Sequence, residues 1–449
     1  MIDIDSSVEF VEREDMKLSI FTLAPTLEDR ATGFFVANYV LGISGPSHGH
    51  LDYLADIARR EVLDEGLLCS IKSVGLAGYS HSAHAPSLMK NARYQYMKAL
   101  QSTNRALRDP VGAKKDSTLI SIMILTIFET ITGCRQSSLK DWAQHVHGAA
   151  AVIKLRGPDQ LKTKAGSKMM LQATATLLIY CLQRGSHVPD HIYEYVNHVM
   201  NTVDRPEPAL VTSHTMMVFA GLRADVMNGK LTDPHEILAR ALELDGIMLN
   251  LEANTQLQGW AYEIIHTNEA ADVVWNGQYH VYYDYWTAQV WNGLRVVRIM
   301  ANEMIRNILI SGFAAKPPVF SRPEHTAQFQ VSTDTLYRLQ ADVLCSVVQH
   351  MGYFPKPTEN FQHKSVASKK VFDLHEELAD VRMSGGSFLL WPLYCVGMMN
   401  LADENVRDFV VKNLVSVGNR MGIAQAHVLA SIVKTQSDFK EFKDFKEQD

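Results

Sequence analysis

The chain has 449 residues, 47% of them hydrophobic and 20% charged, and a formal net charge of −6 at pH 7. That composition excludes a disordered chain and can fill a large core without disulfide staples. Lysine and arginine are spread along the sequence, which argues against a basic patch that grips nucleic acid by its phosphates. Helical spacing of apolar residues dominates, and alternation bounded by hairpin turns is hard to find. In chain order, Thr26 with Asp29 can cap a run over Ala31 to Leu41. Leu119 to Thr132 is apolar nearly all round and stops at Gly133, as a central buried helix should. Trp142, His145, His147 and Gly148 open a further helix, in which Gly148 to Ala151 permit close helix approach and Arg156-Gly157 mark the end. Asp233-Pro234-His235-Glu236 starts a helix carrying Ile237, Leu238, Ala241, Leu242, Met248 and Leu249 at helical spacing. A long helix follows from about Tyr285 to Ile308. Ser332, Thr333 and Asp334 read as the opening of another, with Leu336, Leu339, Val343, Leu344 and Val347 on one side and Gly352 as its stop.

The expected fold is therefore all-α: a large multi-helix assembly, either single or in two lobes sharing a core. Leu119–Thr132 and Tyr285–Ile308 are its buried central helices. Breaks fall at Gly42–His50, Ser80–Pro86, Gly157–Gly166, Val203–Pro208, Ala315–Pro323 and Tyr353–Ser368, none long or polar enough to separate domains. The expected organisation is an acidic segment over 1–25, a helical domain over 26–432 and a charged tail over 433–449. In that tail Phe439, Phe442 and Phe445 recur every three residues, as in a frayed terminal helix.

The five cysteines, Cys69, Cys134, Cys181, Cys345 and Cys395, form no C-x2-C pair, so a cysteine zinc site has no local frame. They read as reduced core thiols. The acidic N-terminus predicts neither a secretory signal nor a transit peptide. The longest apolar stretch, Leu119 to Phe128, is about half of the ~20 residues that cross a bilayer. The expected location is nucleus or cytoplasm, with no membrane partner.

The Tyr285–Ile308 helix carries the candidate site. At 100° per residue, Val290, Leu294, Val297, Ala301, Ile305 and Ile308 share a packing face. Trp291, Arg295, Arg298, Asn302 and Arg306 share the opposite side. Guanidinium groups beside an indole suit an anion or cation–π site, so Trp286, Trp291, Arg295, Arg298 and Asn302 are the ligand-pocket candidates. The competing reading has the arginines bonding helix ends and loop carbonyls between packed helices, and it is the one favoured. His145 and His147 point to different faces and cannot chelate as a pair. His48, His50, His81 and His84 lie at spacings that could share a metal, but only Asp52 supplies a nearby carboxylate, so no metal site is assigned.

No G-x-S-x-G elbow, Gly-rich phosphate loop, H-E-x-x-H or dinucleotide fingerprint occurs, and no catalytic residue or cofactor is assigned. The all-helical enzyme class to weigh is a class I terpene cyclase acting on a prenyl diphosphate with magnesium. Its aromatic walls have counterparts in Trp260, Trp275, Trp286, Trp291, Tyr279, Tyr282, Tyr283 and Tyr285, but no adjacent Asp-Asp pair exists to hold the magnesium.

Six segments, in order, resemble the fungal-specific transcription-factor domain, the helical regulatory region of zinc binuclear cluster factors. They are Ala92–Leu107, Asp116–Thr132, Trp142–Gly157, Tyr279–Glu303, Ser384–Tyr394 and Gly418–Ala426. The resemblance implies transcription regulation, of a metabolic or biosynthetic gene set for example. It also implies a preceding module of six cysteines in C-x2-C-like arms, and no such cysteines occur in these residues. The expectation is a regulator acting through contacts with other regulators, a DNA-binding zinc-cluster factor among them, rather than by its own sequence-specific DNA binding. A small-molecule effector is compatible with it.

Overall fold

The computed structural model describes residues 25–41, 49–60, 63–204, 206–257, 260–354, 358 and 383–436. The acidic segment up to 24, His48 and the phenylalanines of the tail lie outside these residues. Among the described residues the fold is an all-α multi-helix bundle with one small hairpin, and the buried apolar side chains form one large cluster from Ala31 to Val433 with a small satellite of Cys69, Ala99 and Leu125.

The N-terminal half holds α1 (Leu27–Tyr39), α2 (Leu54–Arg60), α3 (Glu65–Ser82), α4 (Leu88–Leu107), α5 (Asp116–Thr132), α6 (Ser138–Arg156) and α7 (Lys164–Arg184). Thr26 caps α1 as expected: its hydroxyl accepts from Asp29 N–H, and the Asp29 carboxylate accepts in return from Thr26 N–H. α3 buries Gly75 and Gly78 against α1, facing Ala31 and Phe34. A Cβ on Gly75 would stand 2.0 Å from the Ala31 carbonyl oxygen, so the two backbones meet where only glycine fits. α5 is buried nearly all round, packing on α3, α4, α6 and α7, as its sequence predicts. α6 ends at Arg156 with Gly157 at φ 68°, as expected, and Arg156 also donates to Lys114 O at 2.9 Å and Asp116 Oδ1 at 2.5 Å, tying α6 to the start of α5.

Next come α8 (Asp190–Thr202), α9 (Pro208–Met227), α10 (Pro234–Leu257), β1 (Glu263–His266), β2 (Gln278–Val281), α11 (Tyr285–Ala314), α12 (Pro323–Cys345) and α13 (Val347–His350). α14 (Met383–Gly397), α15 (Glu404–Met421) and α16 (Ala424–Thr435) close the described chain. α11, about 45 Å long at 1.5 Å per residue, packs on α9, α10, α12 and α14. The chain's beginning meets its later part: Met383 N–H at the start of α14 donates to Asn38 Oδ1 at 3.2 Å, and Tyr39 packs on the Met383 sulfur.

Three details correct the sequence reading. α12 begins at Pro323, not at Ser332, because Pro323 occupies the first turn. The hydroxyls expected to cap are used inside the helix, Thr333 donating to Phe329 O and Ser332 accepting from Gln328. On α10, Leu249 faces outward although Met248 is buried. The hairpin was not foreseen either. β1 and β2 pair antiparallel with Ile264 opposite His280, and an isolated bridge joins Trp275 to Gln278. Between those two, Asn276 and Gly277 take φ of 50° and 70°, the left-handed pair that a tight hairpin turn requires.

Candidate functional site

α11 brings the sequence-predicted side chains together in the interior, not around an open cleft. Trp291, Arg295, Arg298 and Asn302 are each at most 2% exposed, and the helix is buried on both faces. Trp286 is half-buried near the helix start, against Phe388 of α14. Arg306 lies a turn beyond, donating to Thr333 Oγ1 at 2.9 Å and covering the Phe329 ring.

Two connected polar clusters lie along this helix. In the first, α10 and α12 supply carboxylates to the arginines. Arg298 donates Nε to Asp245 Oδ1 at 2.9 Å and Nη2 to Asp245 Oδ2 at 3.3 Å, a fork-on-fork pair, while its Nη1 bonds Glu252. Asn302 donates to the same Asp245 oxygen at 2.9 Å. Arg338 of α12 holds Glu252 Oε1 at 2.7 Å and Asp342 at 3.2 Å. Burial alone would raise the Glu252 carboxyl, but the hydrogen bonds and charge of Arg338, with Arg298 behind it, outweigh burial and hold it below its ordinary value. Burial does prevail at Asp342, which is raised against the pull of Arg295 and Arg338.

The hairpin builds the second cluster around Arg295. Tyr262, just before β1, and Tyr282, just after β2, surround its guanidinium together with Trp291, at 5.0, 5.6 and 5.5 Å from the ring centres. Trp291 is itself fixed by its indole N–H donating to Trp260 O at 2.9 Å. Arg295 Nη1 donates to Tyr282 Oη at 2.5 Å and Asn292 Oδ1 at 3.1 Å, and Nη2 points at His280 Nδ1 at 3.5 Å. Arginine can only donate, so His280 Nδ1 is an acceptor. The Tyr282 hydroxyl then gives its hydrogen to that nitrogen at 3.1 Å, and the His280 proton sits on Nε2, which faces Asp342 at 4.0 Å. Burial first, then the Arg295 charge, push His280 well below the ordinary imidazole value.

Asn292 extends the network to His350, whose Nδ1–H donates to Gly385 O at 3.1 Å while Nε2 accepts from Asn292 at 3.3 Å. Burial, reinforced by Arg295, pushes His350 down to about 4, so it too is neutral in the fold.

The arginines thus bond carboxylates, a tyrosine hydroxyl and aromatic faces, not the helix ends and loop carbonyls the sequence suggested. Sequence reasoning missed Asp245, Glu252, Arg338, Asp342, His280 and His350. Asp245 and Glu252, two turns apart on α10, were findable as charges on a face that also carries Leu238, Ala241, Leu242 and Met248, and Arg338 with Asp342 as an i, i+4 pair of opposite charge on α12.

Elsewhere, His145 and His147 do part company: His145 meets Tyr96 at 3.2 Å and His147 packs edge-on against Tyr180. Of the four histidines read as loop residues, His81 lies in the last turn of α3 and His50 is fixed between Tyr39 O and Gln172. Among the described residues no three His, Cys, Asp or Glu side chains group as metal ligands, and no helix is long and apolar enough to cross a membrane.

A helical interior braced by buried charge is the frame into which the comparisons fit. Residues 61–215, from the approach to α3 into α9, match the fungal specific transcription factor domain. Over 404 residues the chain is 22% identical to the transcription factor dbaG of Emericella nidulans, covering 88% of each chain. No solved structure matches it. The α11 clusters lie outside the matched segment but inside the span shared with that relative's length.

Proposed function

We propose that this chain is a transcription regulatory protein that works through protein contacts, over a helical unit spanning 26–432. The observation that carries this is similarity to a transcription factor along 88% of both chains, in a sequence with no C-x2-C pair to hold a zinc cluster. Its partners are other transcription regulators, a DNA-binding zinc-cluster factor among them, and its place of action is the nucleus. Trp291, Arg295, Arg298 and Asn302 then brace α11 against α10 and the hairpin, and Trp286 packs α11 on α14, rather than line a pocket. Arg298 already has two carboxylates, and a diphosphate would have to displace Asp245 and Glu252 to reach it. That internal satisfaction weighs against the magnesium-dependent cyclase reading.

The test has two arms. Transcripts and metabolites are measured in a strain lacking the gene, and the chain is fused to an unrelated DNA-binding module upstream of a reporter. Coordinated change in several transcripts and a reporter response are expected. Accumulation of one biosynthetic intermediate with transcripts unchanged would overturn the reading.

A further inference from the structure

We propose that the pocket between α5, α6 and α7, closed at one side by His50, binds a small neutral ring compound that carries a hydroxyl group. The pocket has a volume of about 110 Å³ and is open on one side. An apolar cavity of about 150 Å³ takes one benzene ring, so a single ring with its edge at the mouth matches this space. Met123 and Ile127 of α5 and the Trp142 indole of α6 give it apolar walls and a flat face to stack on.

The polar lining selects the substituent. Thr126, Thr130 and Thr176 each spend the hydroxyl hydrogen on the carbonyl one turn back, on Ile122, Thr126 and Gln172 at 3.0, 3.0 and 3.5 Å. What remains on each is a lone pair. His50 Nδ1–H is taken by Tyr39 O at 3.0 Å, and its Nε2 accepts from Gln172 at 3.0 Å. Gln172 Oε1 already accepts from Leu51 N–H and the Tyr53 hydroxyl, both at 3.1 Å, which leaves its second amide hydrogen as a donor. Acceptors outnumber donors, and burial pushes His50 below its ordinary value, so it carries no charge near neutral pH. No carboxylate, lysine or arginine lines the pocket. An anion would meet threonine lone pairs and an ammonium would find no counterion, whereas a hydroxyl can both donate to threonine and accept from Gln172.

The site also has a physical link to the rest of the fold. His50 packs edge-on against Phe388 at 5.5 Å, and Phe388 against Trp286 at 6.2 Å, so a ring entering beside His50 presses on a row of rings that ends on α11. Binding here does not depend on the transcriptional role.

The experiment titrates the full chain calorimetrically with phenol, with its methyl ether anisole, which keeps the ring but loses the donor, and with benzoate. Tryptophan emission is followed alongside, because Trp142 lines the site. Phenol is expected to bind one per chain with a dissociation constant of about 1 mM or below, as suits so small a ligand. Anisole should bind about fivefold more weakly, the worth of one neutral hydrogen bond, and benzoate not measurably. Thr130→Val with Thr176→Val should weaken phenol by about fivefold or more and leave anisole unchanged, and Ala173→Phe should abolish both by filling the space. Should the Phe variant fail to fold, the threonine pair carries the test. Absence of phenol binding up to roughly 10 mM, or equal affinity for phenol and anisole, would overturn the proposal, as would phenol binding that the threonine changes leave untouched.

Discussion

Asn302 donates its side-chain amide to the Asp245 oxygen that also accepts Arg298 Nε, both at 2.9 Å. One carboxylate of α10 is thereby fixed by two residues a turn apart on α11. Removing the guanidinium leaves Asp245 to Asn302 and Glu252 to Arg338, with one positive charge fewer between the two carboxylates. Arg298→Met is expected to cost about 3–5 kcal/mol, the usual penalty for stranding a buried charge, and Asn302→Ala about 1–3 kcal/mol. Arg298→Met combined with Asp245→Leu should cost less than Arg298→Met alone. Urea midpoints with unchanged slopes would check all three.

The same clusters set a pH dependence. His350, ordinarily near 6.5, is pushed down to about 4, and His280 is depressed as well. The unfolded chain therefore takes up protons below about pH 6.5 that the folded chain refuses, so this contribution is fully present above that pH and lost as pH falls toward 4. For His350 the loss reaches roughly 3 kcal/mol by pH 4. Asp342, Glu129 and Glu303, raised by burial, act in the opposite sense over part of this window. The quantity to measure is the difference between wild type and His350→Gln, whose stability curve should be flatter between pH 6.5 and 4.

Diphosphate separates bracing from a ligand pocket at α11. With Arg298 held by Asp245 and Glu252, and Arg295 enclosed by Tyr262, Tyr282 and Trp291, magnesium and diphosphate should leave the melting temperature unchanged. A true site at 100-fold excess over its dissociation constant would add about 2.7 kcal/mol, and the arginine variants would lose that gain while staying folded.

At Gly75 the expected effect is steric. Gly75→Ala drives a Cβ to within 2.0 Å of the Ala31 carbonyl oxygen, and that oxygen is backbone, so α1 must shift. A cost of about 1–3 kcal/mol follows from such overpacking. Hydrogen exchange should quicken in α1 before it does in α5.

Long-period features were legible in the sequence. α5 announced itself because apolar residues occur on nearly every face, α11 because they recur at helical spacing along one, and the Thr26–Asp29 cap needed only local chemistry. The hairpin escaped because its strands are four residues each and sit between helices, although Asn276-Gly277 was the available signal. At α11 the polar stripe was legible but its partners were not. Asp245 and Arg338 become neighbours only through tertiary packing, and helical periodicity carries no information about which helix will face which. The same limit hid the His50–Trp142 pocket, whose lining comes from three helices and a loop.

The joining of Asn38 and Tyr39 to Met383 has a consequence for synthesis on the ribosome. α1 lies across α3, yet part of its anchorage arrives only when α14 has been made, 344 residues after Tyr39. Until then the nascent chain presents the apolar flank of α1 and the small-residue surface of α3 without their full cover, a state that invites chaperones. For the same reason the fragment 61–215, excised at the edges of the matched segment, would lose both α1 and the α16 side chains that pack on α5. Sequence-family boundaries and the cooperative folding unit need not coincide, and here the helices close a circle that a cut at either boundary would open.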